Sequence, residues 1–357
     1  MAAAKLAGKR SGGYARRSFN PLQDPFMTAP RLDVLCIGNA IVDVIADADD
    51  RFLEDQGLTK GMMRLIDERE AERLYGAMGP GRELSGGSAG NTAAGLAALG
   101  CKAGFIGQVA DDQLGTIYKH DIQSLGVDFI VAPRADVGAT ARSLILVTPD
   151  VQRTMNTFLG AAQMLDKSDI DQAEVGEAGI VYLEGYLWDP PAPRAAMEKA
   201  IDAARAAGGK VAFTLSDTFC VDRHRDGFWQ LIRERKIDIL FGNEAEIAAM
   251  AEDSELEAAI ARVAKDVPLL VVTRSEAGAT AISGSERADV PAEPIERLVD
   301  TTGAGDLFAA GFLAGQARGK SLADSLRLGA IAAAEVIQHY GARPEKDLRA
   351  LAGNLLA

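Results

Sequence analysis

From Arg31 onward, short apolar runs alternate with longer stretches in which alanine, leucine and charged residues recur at helical spacing. Such runs are typical of strands buried on both faces, and the stretches between them are typical of amphipathic helices. The pattern predicts strands over 33–38, 103–109, 179–184, 210–216, 237–242 and 269–274. It predicts helices over 89–99, 111–125, 193–207, 226–235, 243–252 and 255–265. The expected fold class is α/β, with a Rossmann-like, mainly parallel sheet and helices on both faces.

Two segments break this alternation, 57–67 and 139–158. Their side-chain character alternates without an intervening helix, which favours added antiparallel strands. We predict that these strands form a small β-sheet that acts as a lid. The lid segments are expected at about 50–67 and 130–158, inserted in one domain that spans 31–357.

The composition narrows the classes of function. The chain has 357 residues, 48% of them hydrophobic, which is enough for one large α/β domain or two smaller ones. A net charge of −13 and a pI near 4.8 argue against a general nucleic-acid binder, which would carry a basic face. No apolar run in the sequence is long enough to cross a membrane.

Cysteine and histidine are few and scattered. The cysteines share no ligand-like spacing and suit a reducing compartment, so we expect buried structural thiols in a cytoplasmic protein: Cys36, Cys101 and Cys220. The histidines are equally dispersed, which disfavours a histidine-rich metal site: His120, His224 and His339.

The first thirty residues differ in composition from the rest. Five basic residues precede Asp24, the first acid, and no apolar segment typical of a secretory signal is present. We predict a disordered tail over 1–30. The alternatives are an organelle transit peptide, which the basic composition resembles, and a translation start at Met27.

The segment 300–306 reads DTTGAGD and leads into a long apolar helix. A helix N-terminus exposes unpaired N–H groups that attract anions, and the small residues Gly303, Ala304 and Gly305 leave those groups uncovered. A phosphate is therefore one predicted ligand, with Asp306 beside it. The alternative is a glycine-rich turn in which Asp306 complements the helix dipole.

The stretch 84–100 reads LSGGSAGNTAAGLAALG. The pair Gly86-Gly87 permits close backbone approach and is a candidate hinge for the lid. Ser88 is a candidate helix cap, and Asn91 lies one turn into the helix. A tight turn with a serine cap explains the same pattern without a ligand.

Asn243 and Glu246 follow the predicted strand at 237–242. Their spacing is that of a capping box, which is the structural explanation. The functional interpretation is that both organise waters around a Mg²⁺ ion, since Mg²⁺ keeps several waters and takes few protein carboxylates.

Asn39 and Asp43 lie just past the first predicted strand, within CIGNAIVDVIA at 36–46. Polar side chains that interrupt an apolar run there are candidates for hydrogen bonds to sugar hydroxyls. Capping of a turn is the alternative, because it is the commoner role of Asn and Asp.

Taken together, GGSAGN, NEAE and DTTGAGD stand in an order and spacing that resembles the ribokinase-like (PfkB) family of carbohydrate and nucleoside kinases. The resemblance covers about 32–350. It implies transfer of phosphate from ATP, with Mg²⁺, to a primary hydroxyl by in-line displacement. In that scheme Asp306 is the base, and the backbone N–H groups of 303–306 form an anion hole for the transferring group.

Within the family, GNAIVDV, GGSAGN, DILFGNEAE and VIQHYGARPEK look most like the adenosine kinase branch. The resemblance implies a substrate pocket formed by Asn39, Asp43, Met63, Leu65, Gly86, Gly87, Ser88, Asn91 and Arg153. It implies ATP binding by Asn243, Thr273, Ser275, Gly278 and Gly305. It also implies a hydrated Mg²⁺ at Asn243 and Glu246, and a K⁺ site at Asp300 and the carbonyl of Thr302.

Some of these assignments have alternatives. Met63 and Leu65 are either a wall for a purine or packing within the lid, and Arg153 is either a phosphate ligand or an exposed arginine.

The expected reaction is phosphorylation of adenosine at its 5′-hydroxyl. A sugar kinase acting on ribose, fructose or a 2-keto sugar acid is the first alternative, and a non-catalytic nucleoside sensor is the second. The protein is expected to be a monomer or a homodimer.

Overall fold

The computed structural model describes residues 31–150 and 152–357, so the predicted disordered tail lies outside the described residues. The strands are β1 (Leu32–Ile37), β2 (Ile41–Asp47), β3 (Met63–Leu65), β4 (Arg82–Gly86), β5 (Ala103–Ile106), β6 (Val127–Phe129), β7 (Ala141–Val147), β8 (Arg153–Phe158), β9 (Ala178–Glu184), β10 (Lys210–Thr214), β11 (Ile239–Asn243), β12 (Leu269–Thr273), β13 (Ala279–Ser283) and β14 (Glu286–Val290). The helices are α1 (Asp50–Asp55), α2 (Glu68–Ala77), α3 (Ser88–Ala98), α4 (Gln113–Ser124), α5 (Gln172–Gly176), α6 (Pro191–Ala206), α7 (Thr218–Arg233), α8 (Glu244–Ala251), α9 (Leu256–Ala264), α10 (Ala304–Ala317), α11 (Leu322–Val336) and α12 (Leu348–Ala352).

The larger sheet has nine strands in the order β14-β13-β12-β11-β10-β9-β1-β5-β6. Pairing is parallel from β12 through β6, whereas β13 and β14 join as antiparallel strands at one edge. All six predicted strands belong to this sheet, as β1, β5, β9, β10, β11 and β12. The predicted α/β class with a mainly parallel sheet is therefore confirmed.

Side chains of each strand alternate between two cores, one on either face of this sheet. On β1, Val34 and Cys36 join one core, while Leu35 and Ile37 join the other, and all four are 0% exposed. Helices α3, α10 and α11 cover the first face, and α6 to α9 cover the second. Burial of each such aliphatic side chain contributes about 1.5–3 kcal/mol, so the sheet is a rigid platform for its connecting loops.

Helix α7 differs from its prediction. The sequence pattern places a helix over 226–235, but the helix begins eight residues earlier, at Thr218. The Asp217 side chain accepts a hydrogen bond from the Cys220 amide (2.6 Å) and caps this earlier start. The charged run DRHRD at 222–226 obscures the apolar stripe of the helix in the sequence.

The smaller sheet has five strands in the order β3-β8-β7-β2-β4. The predicted segments supply β3, β7 and β8, and β7 pairs antiparallel with β8 as expected. The antiparallel expectation is wrong for β3, which pairs parallel with β8 because no hairpin joins these two distant segments. Two further strands, β2 and β4, complete the sheet. Asp43 consequently lies within β2 rather than in a loop, because Val42, Val44 and Ala46 alternate inward.

Among residues 31–150 and 152–357, every helix is too short or too polar to span a bilayer.

Candidate active site

The carboxyl ends of the parallel strands β1, β9, β10, β11 and β12 lie at one edge of the larger sheet. Open parallel sheets bind ligands beyond this edge. The helices α3 and α10 pack against each other and against β1, and the start of each carries one of the predicted motifs. The topology therefore brings motifs from distant parts of the chain together here.

Asp306, in the first turn of α10, is held by two side chains from α3. The Ser88 hydroxyl donates to Asp306 Oδ1 (2.7 Å), and the Asn91 amide donates to Asp306 Oδ2 (2.9 Å). Thr92 Oγ1 adds a bond to the Asp306 carbonyl (3.2 Å). The carboxylate is thus fixed in one orientation by neighbours that lie over 200 positions away in sequence.

Ser88 was predicted as a helix cap, and this expectation is wrong. Gly87 occupies the position before α3, and no side chain caps that end. The Ser88 hydroxyl points instead to Asp306. Gly87, with φ 82°, takes the N-cap position, so Ser88 is the first residue of the helix and its hydroxyl can bond to a group outside the helix.

The pKa of the Asp306 carboxyl is raised, because burial removes water from it. Hydrogen bonds from Ser88 and Asn91 and the charge of Arg343 act in the opposite direction and lower the pKa. The positive end of the helix dipole by itself favours the ionised form of Asp306. Desolvation outweighs that effect, which brings the group closer to the pKa of an effective general base.

The segment before and within the first turn of α10 presents backbone N–H groups. Within the described residues, the amides of Gly303, Gly305 and Asp306 have no hydrogen-bond acceptor. The Ala304 amide donates to the carbonyl of Thr301 (3.2 Å), so it is not free as expected. Three of the four predicted anion-hole donors are available, and they lie next to the Asp306 carboxylate.

Two glycines in this segment serve different purposes. Gly303 has φ 79° and lies against Ala342, so both its backbone conformation and its packing require glycine. Gly305 is exposed, and a Cβ there would meet no protein atom within 4 Å. Protein packing therefore gives no reason for a glycine at 305, whereas close approach of a ligand does.

The pair Gly86-Gly87 allows β4 to pass close to the start of β2. A Cβ on Gly86 would overlap the Asp43 carboxylate, and a Cβ on Gly87 would overlap the carbonyl of Asn39. Both glycines are therefore required by the close backbone packing between β4 and the segment 39–43. This packing also places both polar residues of the 36–46 stretch beside the start of α3.

Glu184, at the carboxyl end of β9, was missed by the sequence analysis. It is 0% exposed, and its Oε1 accepts from the amide (2.8 Å) and the side chain (2.7 Å) of Asn39. Its Oε2 accepts from the Ala89 amide (2.8 Å) at the start of α3. Burial raises the pKa of Glu184 to about 7. This carboxylate joins the loop after β1 to the helix that orients Asp306.

Asp43 lies on the face of β2 that is directed toward the site. The pKa of Asp43 is raised to about 6, because burial and the Asp306 charge, which raise it, outweigh the charges of Arg343 and Arg153, which lower it. Since its carboxylate makes no hydrogen bond within the described residues, it is available to a ligand hydroxyl.

Arg153 joins the smaller sheet to the loop before α10. Its Nη1 lies 2.7 Å from Asp300 Oδ2 and 3.2 Å from Thr302 Oγ1, and its side chain is only 8% exposed. The alternative of an exposed arginine is therefore wrong. Nε and Nη2 are buried and have no protein partner within the described residues.

The K⁺ site expected at Asp300 and Thr302 does not fit this arrangement. Asp300 Oδ2 is held by Arg153 and by the Gly341 amide (3.0 Å), and Oδ1 accepts from the amide and hydroxyl of Thr302. Both carboxylate oxygens already have donors, and a guanidinium supplies the positive charge.

Asn243 and Glu246 form a complete capping box at the start of α8. The Glu246 amide donates to Asn243 Oδ1 (2.9 Å), and the Asn243 amide donates to Glu246 Oε2 (3.1 Å). Glu246 Oε1 also accepts from Asn243 Nδ2 (2.6 Å). Direct metal ligation therefore does not fit, and no cluster of three acidic, cysteine or histidine ligands exists among the described residues.

A hydrated Mg²⁺ does fit the same end of the sheet. The pKa of Glu246 is raised to about 7, chiefly by burial and in smaller part by the Asp217 carboxylate, against the hydrogen bond from the Asn243 amide that lowers it. A cation near both carboxylates would stabilise the ionised forms of Glu246 and Asp217. Mg²⁺ can do so without direct ligation, because the water molecules it retains donate hydrogen bonds to carboxylates.

Replacing Glu246 with Gln separates the two interpretations, because glutamine also completes a capping box. We expect the unfolding temperature to stay within a few degrees of the parent, and the Mg²⁺ concentration for half-maximal turnover to rise about tenfold. Glu244→Gln, in the same helical turn, is the matched control and should leave the metal titration unchanged. An unchanged titration for the Glu246 variant would leave only the capping role.

The remaining predicted ATP residues lie at the end of β12 and in the turn after it. Thr273 pairs with Asn243 in register, and the turn after it contains Ser275 and Gly278. Gly278 has φ 89°, and a Cβ there would overlap the carbonyl of Val290, so its glycine has a structural cause. These residues lie at the same sheet edge as α8.

Exposed apolar and aromatic side chains occur on the smaller sheet and just past β9. Met63 is 54% exposed and Leu65 is 63% exposed on the edge strand β3, so they are not packed within the smaller sheet. Tyr186, two residues after Glu184, is 39% exposed, and its hydroxyl donates to the carbonyl of Ser216 (3.1 Å). Sequence reasoning missed Tyr186, although an aromatic residue just past a buried strand is a usable signal.

Comparison with known proteins places this geometry in a family. The model of the pfkB family carbohydrate kinases matches residues 31–348. The crystal structure of adenosine kinase from Sinorhizobium meliloti is 49% identical, with a TM-score of 0.83, covering 90% of this chain and 98% of that one. A probable sugar kinase from Rhizobium etli CFN 42 is also 49% identical, with a TM-score of 0.84 and the same coverage of 90% and 98%.

A third relative is adenosine kinase from Saccharomyces cerevisiae, which is 26% identical over 336 residues, or 88% of this chain and 96% of that protein. The match of the family model spans nearly all the described residues, including both glycine-rich motifs and Asp306. The chain belongs to the pfkB family of carbohydrate kinases and is a phosphotransferase that acts on an alcohol group.

Proposed function

We propose that this protein transfers the γ-phosphoryl group of ATP to the 5′-hydroxyl of adenosine, giving AMP and ADP. The observation that carries the proposal is the Asp306 carboxylate, oriented by Ser88 and Asn91 beside the unpaired amides of Gly303 and Gly305. Phosphoryl transfer to a hydroxyl requires a base for the hydroxyl proton and an anion-binding site for the phosphoryl group, and the two are adjacent here.

In the proposed reaction, Asp306 accepts the proton of the attacking hydroxyl. The hydroxyl oxygen forms a bond to the γ-phosphorus as the bond from that phosphorus to the β,γ-bridging oxygen breaks, and ADP leaves. Ser88 and Asn91 keep the carboxylate in position, so little reorganisation is needed in the transition state.

The amides of Gly303, Gly305 and Asp306 would stabilise the charge on the transferring group. A helix N-terminus carries roughly half a unit of positive charge, and such donors are already oriented before the reaction. The open space at Gly305 lets a phosphate oxygen approach the backbone.

The choice of adenosine rests on the pocket and on the relatives. Asp43 would bind ribose hydroxyls together with Asn39, whose side chain is held by Glu184. Exposed apolar surface at Met63, Leu65 and Tyr186 suits a flat purine. Adenosine kinases are among the relatives that match over most of this chain.

Hydrated Mg²⁺, held near Asn243 and Glu246, would neutralise charge on the ATP phosphates. Thr273, Ser275 and Gly278 would bind the nucleotide beyond the end of β12.

The smaller sheet would act as a lid that excludes water from the γ-phosphate, moving about the Gly86-Gly87 turn as a fixed pivot. Arg153 already bridges this sheet to Asp300, and its Nε and Nη2 groups remain available for a phosphate oxygen. The lid segments predicted at 50–67 and 130–158 would then be joined by β2 and β4.

A substrate panel tests the proposal. ADP release is followed with ATP and Mg²⁺ in the presence of adenosine, other nucleosides, ribose, fructose and a 2-keto sugar acid. We expect kcat/KM for adenosine to exceed that for every free sugar by about a hundredfold or more, because a sugar leaves the purine surface unoccupied.

The sugar kinase alternative is favoured by one observation, the equal similarity to a probable sugar kinase. Turnover with a free sugar and none with nucleosides would reject adenosine in its favour. Adenosine binding without ADP release would instead support a non-catalytic sensor.

A further inference from the structure

The chain after α11 returns to the active site. Gly341 donates its amide to Asp300 Oδ2 (3.0 Å), and Ala342 packs against Gly303, the residue before α10. This return carries the sequence GARPEK at 341–346. Arg343 is thereby placed between α10, α3 and the smaller sheet, although the proposed reaction assigns it no role.

The Arg343 guanidinium joins the two sides of the Gly86-Gly87 turn. Its Nη1 donates to the carbonyl of Gly90 (3.2 Å) in the first turn of α3. Its Nη2 donates to the carbonyl of Ser85 and to Ser85 Oγ, at the end of β4. A planar, rigid donor group therefore fixes the end of β4 relative to the helix that orients Asp306.

Ser85 is itself anchored on a third element. Its amide and hydroxyl both donate to Asp121 Oδ2 of α4, at 2.8 and 2.6 Å. Tyr118 of the same helix donates its hydroxyl to the carbonyl of Gly86 (3.2 Å). The turn is thus held from α4 on one side and from Arg343 on the other.

Four titratable groups surround Arg343. They are Tyr118 and Asp121 on α4, Asp43 on β2 and Asp306 on α10. The positive charge lowers the pKa of Asp43 and of Asp306, against the burial that raises both. Arginine keeps its charge even when buried, so this effect persists across the physiological pH range.

We infer that Arg343 is a positioning residue for phosphoryl transfer: it clamps Ser85 and Gly90 across the Gly86-Gly87 turn and holds a positive charge beside Asp43 and Asp306. The inference rests on the proposed base role of Asp306. It assigns to the C-terminal return a function in the active site rather than in packing alone.

The pH dependence follows from the sign of the charge effect. Asp306 accepts a proton only when ionised, so activity falls as the pH drops through its pKa. Loss of the Arg343 charge raises the pKa of Asp306 and Asp43. The acid limb of the kcat/KM profile should consequently move to higher pH.

The experiment compares Arg343→Gln, Arg343→Lys and the control Arg349→Gln, an exposed arginine on α12 that lies over Gly100. For Arg343→Gln we expect the acid limb at higher pH and a kcat/KM for adenosine reduced about tenfold or more at neutral pH. Arg343→Lys should keep the parent acid limb, because the charge is retained. Arg349→Gln should match the parent in both.

The lysine variant also tests the clamp, because an ammonium cannot reproduce the planar fork. We expect its KM for adenosine to rise several-fold and amide hydrogen exchange over 84–91 to accelerate about tenfold. Should the glutamine variant fail to fold, unchanged exchange and KM in the lysine variant would overturn the inference.

An acid limb at the parent position in Arg343→Gln would also overturn it. That failure is distinct from failure of the proposed function, which the parent enzyme reports through the substrate panel and which does not depend on Arg343.

Discussion

Replacing Asp306 with Asn is expected to lower turnover by about a thousandfold or more while leaving the Kd for ATP within about threefold of the parent. Asparagine has the same shape and can still accept from Ser88, so the pocket is retained. Its amide cannot accept the proton of the attacking hydroxyl. Turnover is measured by ADP release, and ATP affinity by titration calorimetry.

Asp324→Asn is the matched control for this variant. Asp324 occupies the same position in the first turn of α11 that Asp306 occupies in α10, and Ser321 donates to it (2.8 Å). If Asp306 only complemented a helix dipole, both variants would lose a few tenths of a kcal/mol of stability and keep their activity. Turnover of Asp306→Asn within tenfold of the parent would remove this residue from the base role.

Replacing Gly305 with Ala is expected to lower kcat/KM for ATP about a hundredfold, because the methyl group occupies the space through which a phosphate oxygen reaches the amides. The protein itself has room for this methyl group. The free energy of unfolding should be unchanged or higher by about 0.5–1 kcal/mol, since alanine is the better helix former. Steady-state kinetics and thermal unfolding measure the two quantities.

Gly76→Ala is the control, because Gly76 lies in α2 and a Cβ there also meets no protein atom within 4 Å. It should stabilise the helix to a similar degree and leave catalysis at the parent level. Parent-level kinetics in Gly305→Ala would mean that no phosphate approaches this backbone.

Six strands of the larger sheet were predictable because each is a largely apolar run between turn residues, whereas β6, β13 and β14 at its edges were not predicted. The order of the motifs predicted that Ser88, Asn91 and Asp306 belong to one site. It did not predict that Ser88 and Asn91 hydrogen-bond to the Asp306 carboxylate. Ser88 satisfies the composition rule for a helix cap, and only the positive φ of Gly87 releases it for another partner. The residue type alone does not determine whether a glycine adopts a positive or a negative φ.

Glu184 and Arg343 illustrate what sequence patterns miss. Glu184 ends an apolar strand, where a charged residue is usually taken as the start of a solvated loop. Arg343 lies in a segment that resembles other family members without any motif of its own. Both act through contacts with residues more than a hundred positions away, and no local periodicity encodes such distances.

Asn243 and Glu246 show that two interpretations of one motif need not exclude each other. The capping box is formed, so the structural explanation is confirmed. The same side chains still lie at the carboxyl edge of the sheet beside Asp217, where a hydrated cation is expected. The hydrogen bonds establish the capping role, and the metal titration of Glu246→Gln tests the role in Mg²⁺ binding.

A crystal structure with adenosine and a non-hydrolysable ATP analogue tests the central claim most directly. The account predicts the 5′-hydroxyl within hydrogen-bond distance of an Asp306 carboxylate oxygen, and γ-phosphate oxygens on the amides of Gly303, Gly305 and Asp306. Phosphates bound away from the start of α10, or Asp306 in contact with protein groups alone, would contradict it.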